Sequence, residues 1–563
     1  MYYTELRAVR EELTGPGGQF EIAEEDILGN RIKTFKNQPP SVREFWLSTA
    51  VWGDRPYLIY EGEVLTYAQA HAQVNALAAW LMAQGVAPGD RVAIAMRNYP
   101  EWMIAYWACT SIGVASVGMN AWWTTEEMDY ALTDSAPKVL IADAERLARY
   151  RDLALRDLKV VAVRLAEYPD GVTPWADVVS GGAAMPDVTV DPDADACIFY
   201  TSGTTGFPKG AQLTHRGCVA NLMNMLYSTT AQALATERAT GISPPAEAPV
   251  PVTLLTTPLF HVTANNCGAY LTSAAGGAMV LMYKWDAGAA LKLIEQYKIT
   301  GVSGVPIMAR EIINHPDFAN TDTSTLTGLS GGGAQVPPEQ VGEIHRKIPA
   351  ASPTTGYGMT ETCGIITSVA GPFFIDRPDS AGPYMPSFDA KVIDDDGNEV
   401  APGAVGELWV RGSPVIKGYL NRPDATAEAI TAGGWLHTGD IARIDEDKFV
   451  YIVDRKKDLV IRGGENISCT EVEACVYRHD AVAECCVFGV KDDRMGEEIG
   501  VAVVLKPDHQ LDQTSLQKHC LDLMAKHKVP RYVWFMNEPL PRNASGKFLR
   551  RELRETLSAL VEA

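Results

Sequence analysis

The chain has 563 residues, 46% of them apolar and 21% charged, which excludes a disordered, collagenous or disulfide-scaffold protein and leaves material for several hydrophobic cores. Lys and Arg number 49 against 70 Asp and Glu, a formal charge of −21, and no long basic run offsets it. Such a field repels phosphate backbones, so neither nucleic acid nor an anionic membrane surface is expected as a partner.

At the N-terminus, Glu5, Glu11 and Glu12 stand where a secretion signal would need a basic and then an apolar stretch. Residues 1–40 read as an acidic arm that either covers a partner subunit or caps the first subdomain. From residue 54 short β-rich runs alternate with helical stretches: 65–84 helix, 91–96 strand, 100–112 helix. Residues 102–119 approach a membrane-spanning length, but Ser111, Gly113, Ser116 and Gly118 interrupt them. They read as a buried helix running into a core strand, so no integral membrane segment is expected. Further strands are expected at 136–143, 196–201, 252–258, 277–282 and 299–305. This rhythm predicts an α/β fold with doubly wound, mostly parallel sheets.

Residues 230–251, rich in Ala, Thr and Pro, read as an exposed, mobile insertion. After residue 383 short strands and turns predict a β-rich subdomain. A charged cluster at 454–458 then precedes a small α+β C-terminal domain with strands at 484–490 and 501–505 and a helix at 515–526. The expected division is an N-terminal domain over 1–455 and a mobile C-terminal domain over 456–563. None of the ten cysteines lies in a C-x-x-C pair, so they read as reduced thiols of a cytoplasmic protein rather than metal ligands.

The densest chemical signal is YTSGTTGFPKG at 200–210. Glycines let backbone N–H groups approach phosphate, the hydroxyls of Thr201, Ser202, Thr204 and Thr205 can donate to it, and Lys209 offsets its charge. The loop is not a Walker A motif: five positions after Gly203 stands Pro208, and Gly210 follows the lysine where Ser or Thr is required.

This segment resembles the signature of the adenylate-forming superfamily of acyl-CoA synthetases, peptide-synthetase adenylation domains and luciferases. Four more of its motifs follow in order: GYGMTE at 356–361, GWLHTGD at 434–440, DRKKDLVIRGGENIS at 454–468 and PRNASGK at 541–547. The resemblance spans roughly 45–555 and is nearest to synthetases for fatty or other hydrophobic acids.

It implies the cofactors and substrates ATP, Mg²⁺ and coenzyme A and a small-molecule carboxylic acid, with a homodimer allowed. For ATP it implies Thr201, Ser202, Gly203, Thr204, Thr205, Gly206 and Lys209, then Gly332, Gly333 and Ala334 of the SGGGAQ segment at 330–335. Gly356, Tyr357, Gly358 and Met359 complete the nucleotide set, with Tyr357 as an adenine platform, Thr360 at the α-phosphate and Glu361 as the Mg²⁺ ligand. Asp440 is implied at the ribose and Arg455 at ribose or phosphate.

Lys457 is implied as the hinge, Gly463 and Gly464 as the coenzyme A side, and Lys547 as the cation that bridges carboxylate and α-phosphate. By local physics Ser545 reads as the N-cap of a terminal helix, which would set Lys547 against the positive end of the dipole. His261 follows a β-rich run and reads on its own as a buried histidine. The resemblance sets it beside the acyl pocket with Val262, Asn266, Ser303, Val305 and Gly364. The aspartate that amino-acid-activating relatives carry near there is absent, which argues against an α-amino acid. The expected activity is an ATP-dependent carboxylic acid–CoA ligase; the alternatives are an acyl-AMP ligase loading a carrier protein and an aryl-acid CoA ligase.

Overall fold

A computed structural model describes residues 2–151, 158–201, 208–243, 249–332, 336, 338–463, 465–543 and 546–562. Packing divides the chain into two units, Met1–Ala390 with Val410–Leu436, and Lys391–Trp409 with His437–Ala563.

The first unit contains two eight-stranded sheets. In one, Asp195–Thr201, Ala115–Gly118, Arg91–Ala95, Val139–Asp143, Lys159–Val163 and Val172–Pro174 lie side by side and parallel. Lys209–Thr214 and Gly418–Tyr419 extend its edge antiparallel. In the other, Ser352–Met359, Gly328–Gly332, Gly301–Gly304, Val252–Leu255, Ala278–Leu281 and Pro56–Tyr60 are parallel, closed at either edge by the antiparallel Gly364–Ala370 and Glu63–Thr66. The doubly wound α/β expectation holds.

Local chemistry sets the helix ends. Thr66 and Gln69 form a reciprocal cap for Tyr67–Ala83. Pro100 opens Pro100–Ser111, of which every residue but Glu101 is buried, and the strand Ala115–Gly118 follows. No described helix is long and apolar enough to cross a membrane.

The expected insertion at 230–251 is corrected in its first half. The helix His215–Thr240 runs straight through it, with Ala231 and Ala235 buried, and stops only at Gly241 in the left-handed conformation. Alanine-rich sequence favours helix, and here the unit supplies a face to bury it. Residues 244–248 lie outside the described part. The acidic arm packs on this helix: Tyr2–Thr14 runs along it, Arg238 pairs with Glu12 at 2.7 Å, and Phe20 meets Tyr227 edge-on at 5.7 Å. It caps the first unit.

In the second unit the paired antiparallel stretches 437–444 and 449–455 lie beside 406–409 and 391–393. A further sheet joins Glu465–Ile467, Val460–Arg462, Gly496–Leu505 and Val482–Asp492, with Tyr532–Met536 parallel to Gly496–Leu505. Residues 437–455 pack in this unit beside the expected C-terminal domain 456–563. The reason lies at Asp454, a buried carboxylate that accepts from Ser468 Oγ at 3.0 Å and from the Thr470 N–H at 3.2 Å, tying the strand end to the helix Cys469–Tyr477.

Candidate functional site

In the first unit, adjacent parallel strands of one sheet deliver candidate residues from their carboxyl ends, the edge at which open α/β sheets bind ligands. Val252–Leu255 leads to His261, Gly301–Gly304 to Val305, Gly328–Gly332 ends on Gly332, and Ser352–Met359 leads to Thr360 and Glu361.

The turn Thr360–Thr362 is a tight corner between the antiparallel strands Ser352–Met359 and Gly364–Ala370. Thr362 Oγ1 holds it by donating to the carbonyls of Met359 and Gly364 and accepting the Met359 N–H at 3.2 Å. A Cβ on Gly358 would run into the Gly364 carbonyl, so glycine there permits the close approach. This corner presents the buried Glu361 carboxylate, whose backbone carbonyl also accepts the Ile416 N–H at 3.0 Å.

At the neighbouring sheet edge Thr201 and Lys209 are register partners on strands Asp195–Thr201 and Lys209–Thr214. The phosphate-loop candidates Ser202, Gly203, Thr204, Thr205 and Gly206 between them lie outside the described residues, as do Gly333, Ala334, Gly464 and Ser545. Lys209 Nζ stands 5.3 Å from the centre of the Tyr419 ring, and Tyr419 donates its hydroxyl to Glu361 Oε1 at 2.8 Å. Burial, and then the Glu361 charge, push the Tyr419 phenol above its ordinary range, so it remains a donor. The sequence reading missed Tyr419, because nothing in Gly418-Tyr419 tells which edge the short strand joins.

Glu361 suits one contact to a divalent cation. It is a hard carboxylate oxygen donor, and among the described residues no group of three His, Cys, Asp or Glu could hold a metal by itself. The remaining ligands would be phosphate oxygens and water, the way Mg²⁺ travels with nucleotides.

Among the acyl-pocket candidates the structure packs the turn that carries Asn266 against the strands that carry Ser303 and Gly364. Thr263–Ala269 forms a π-helical turn after His261 and Val262 and contributes the buried Asn266. A Cβ on Gly268 would stand 3.5 Å from Ser303 Oγ, and one on Gly332 would stand 3.7 Å from Thr263 Cγ2. Asn221, on the long helix, accepts the Ile365 N–H at 2.9 Å and donates to the Asn266 carbonyl at 3.0 Å, joining Asn266 to the Gly364 strand. Asn98 holds the approach to His261 by donating to the Thr257 carbonyl and accepting from the Leu259 N–H, each at 2.9 Å. His261 lies at 4.8 Å from Phe260, centre to centre. Asn221 and Asn98 were missed; their signal was a carboxamide within an apolar run.

In the second unit, Asp440 and Arg455 face each other across paired strands with Arg455 Nε 3.3 Å from Asp440 Oδ1. Gly439 precedes Asp440 in the left-handed region, and Thr438 Oγ1 accepts the Asp440 N–H at 3.1 Å. Lys457 follows in a turn closed by the Asp458 N–H donating to the Arg455 carbonyl at 2.9 Å. Gly463 is likewise left-handed, between the paired strands Val460–Arg462 and Glu465–Ile467.

The placement of Lys547 corrects the sequence reading. The terminal helix is Arg550–Glu562, so Lys547 is not in its first turn. Asn543 shapes a turn instead: its N–H donates to the Lys547 carbonyl at 2.9 Å, its Oδ1 accepts the Lys547 N–H at 3.0 Å, and Gly546 is left-handed. The exposed lysine stands at the end of that turn.

A family model described as AMP-binding enzyme matches residues 45–420, and one described as AMP-binding enzyme C-terminal domain matches 471–547. A feruloyl-CoA synthase of an Amycolatopsis species is 38% identical over 497 residues, 88% of this chain and 94% of its own. A long-chain-fatty-acid–CoA ligase of Escherichia coli O157:H7 is 34% identical over 552 residues, 92% of this chain and 94% of that one. Among solved structures, the o-succinylbenzoate CoA synthetase of Bacillus subtilis with its acyl-adenylate intermediate has a TM-score of 0.74 at 29% identity, covering 91% of this chain and 97% of that one. With both family domains matched in order and the adenylate-forming motifs carried on the strand ends described above, the chain belongs to the AMP-binding enzyme family.

Proposed function

We propose that this enzyme is an ATP-dependent carboxylic acid–CoA ligase acting on a fatty or other hydrophobic acid. The observation that carries the reading is the match of both family domains together with relatives that are CoA synthases over about nine-tenths of the chain. A carboxylate oxygen attacks the α-phosphorus of Mg·ATP, pyrophosphate leaves, and the thiol of coenzyme A then displaces AMP from the acyl-adenylate.

The first step brings two anions together, so this chain's task is positioning and charge neutralisation. Thr201, Lys209 and the intervening loop hold the phosphates, Glu361 takes the nucleotide-borne Mg²⁺, and Tyr357, Gly332, Gly356, Gly358 and Met359 bound the adenine. Thr360 serves the α-phosphate and Asp440 with Arg455 the ribose. Lys547 is the cation of the adenylation step, and Lys457 is the hinge of a C-terminal domain, 456–563, that changes position between the steps. Gly463 and Gly464 then serve coenzyme A. The compact run 455–467, with Val460–Arg462 pairing directly with Glu465–Ile467, supports coenzyme A as acceptor, because the resembling ligases that load carrier proteins carry an insertion soon after the hinge.

A second reading has its own support: the feruloyl-CoA synthase at 38% identity favours an aryl or arylpropenoic acid within the hydrophobic class. Pyrophosphate release with Mg·ATP against ferulate, related aryl acids and medium- and long-chain fatty acids, with and without coenzyme A, decides between them. Acyl-CoA and AMP as products name the acid; acyl-AMP accumulating beside unused coenzyme A overturns the thiol assignment. The protein is expected in the cytoplasm.

A further inference from the structure

We propose that Tyr419 is a positioning residue of the adenylation step, aligning Glu361 for nucleotide-borne Mg²⁺ through the hydrogen bond from its hydroxyl to Oε1. The inference rests on the proposed role of Glu361 and adds a residue that none of the five sequence motifs contains.

The argument begins with the carboxylate. A carboxylate can rotate about its terminal bond, and a single metal contact is stronger when another partner has fixed the oxygen that binds. The Tyr419 hydroxyl, 2.8 Å away, engages Oε1. Oε2 would then be the oxygen offered to a metal ion. The hydroxyl supplies the hydrogen of this contact, because a carboxylate oxygen has none to give.

The tyrosine is itself fixed. Its N–H donates to Thr426 Oγ1 at 2.9 Å, its strand pairs Tyr419 with Ala211, and the next N–H, of Leu420, donates to the Gly210 carbonyl at 2.8 Å. Gly210 and Ala211 directly follow Lys209, whose ammonium lies against the same ring. One aromatic side chain therefore sets both the lysine that faces phosphate and the carboxylate that faces the metal. The corner 360–362 and the strand Lys209–Thr214 also pack on each other directly, and the tyrosine ring adds the contact that reaches both charges.

The test is Tyr419→Phe, which keeps the ring and its contact with Lys209 and removes only the hydroxyl. Mn²⁺ binding would be read by electron paramagnetic resonance in the presence of the α,β-methylene analogue of ATP. Alongside it, the Mg²⁺ dependence of pyrophosphate formation and the rate of thioester formation from supplied acyl-AMP would be measured. The expected result is Mn²⁺ and Mg²⁺ affinity weakened by about 10–100-fold, the usual cost of removing the partner of a metal ligand. The KM for the acid and the acyl-AMP half-reaction should be unchanged.

Unchanged metal affinity in Tyr419→Phe, with Glu361→Gln weakened, overturns the proposal and leaves the Glu361 assignment standing. If Glu361→Gln also binds metal normally, the assignment of Glu361 fails and the proposal falls with it. The double variant should be no worse than Glu361→Gln alone; additive losses would show that Tyr419 acts elsewhere. Equal loss in the acyl-AMP half-reaction would mark a structural role and overturn the proposal.

Discussion

Asp440 and Arg455 are register partners on adjacent antiparallel strands, and the buried carboxylate meets the exposed guanidinium at 3.3 Å. In the proposed nucleotide site the Asp440 carboxylate would accept the ribose hydroxyls. Asp440→Asn keeps the shape and removes the charge. Hydrogen bonds to charged groups are worth about 1.5–3 kcal/mol, so the KM for ATP should rise about 10–100-fold while the KM for the acid stays. An unchanged KM for ATP would remove Asp440 from the nucleotide site.

The roles proposed for Lys547 and Lys457 separate the two half-reactions. Lys547→Ala should lower adenylation by about 100–1,000-fold, in the range of other lost electrostatic contacts to a developing charge, and spare thioester formation from supplied acyl-AMP. Lys457 is the third residue of the turn closed between Arg455 and Asp458, a position where proline forces the preceding residue out of its helical conformation. Lys457→Pro should therefore slow the second step more than the first. Rapid-quench measurement of both half-reactions checks the pair, and equal losses in either variant would refute the division of roles.

The fold was largely legible because its parallel strands are short β-rich runs between helical periods, as at 91–95 and 139–143, and that pattern is local. The motifs gave Thr201, Lys209, Glu361, Asp440 and Arg455 for the same reason. What sequence could not give depends on distant pairings. Tyr419 acquires its role from the edge it joins, more than 200 positions from its partner Ala211 in the chain. Ser545 reads in the sequence as a helix N-cap with Lys547 in the first turn, yet the Asn543 side chain accepts the Lys547 N–H and the helix begins only at Arg550. Residues 230–251, rich in Ala, Thr and Pro, read as an insertion that interrupts the rhythm of helix and strand, whereas 230–240 continue the helix His215–Thr240, in which tertiary packing buries Ala231 and Ala235.

Acid should destabilise the first unit through His215. The imidazole is fully buried at the start of the helix His215–Thr240, and burial lowers its pKa to about 3. The unfolded chain binds a proton near pH 6.5 that the folded chain refuses until about 3. Between these values the unfolded state holds more protons, so stability falls as pH falls, by at most about 1.4 kcal/mol per pH unit from this one residue. His71, lowered to about 4 by burial, adds in the same direction. Denaturation midpoints from pH 7 to pH 5 should drop, and His215→Leu should flatten that slope. An identical slope in the variant would exclude His215 as a source.

Asn221 ties the two sides of the acyl-pocket candidates together, accepting from the Ile365 N–H and donating to the Asn266 carbonyl from within the core. Asn221→Leu keeps the branched shape and the heavy-atom count of the side chain, though with more bulk, and leaves both backbone groups without that partner, at about 1–3 kcal/mol each. The variant should therefore show a lower Tm and a raised KM for the acid, with the KM for ATP little changed. Gly364→Ala addresses the same contact from the other strand. A Cβ there would collide with the Asn221 carboxamide, and the glycine φ of 147° is one that alanine rarely adopts. It should shift the preferred acid towards smaller members of the panel before it affects ATP. If Asn221→Leu and Gly364→Ala change the KM for ATP and for the acid in equal proportion, this carboxamide supports the whole unit rather than the acyl site.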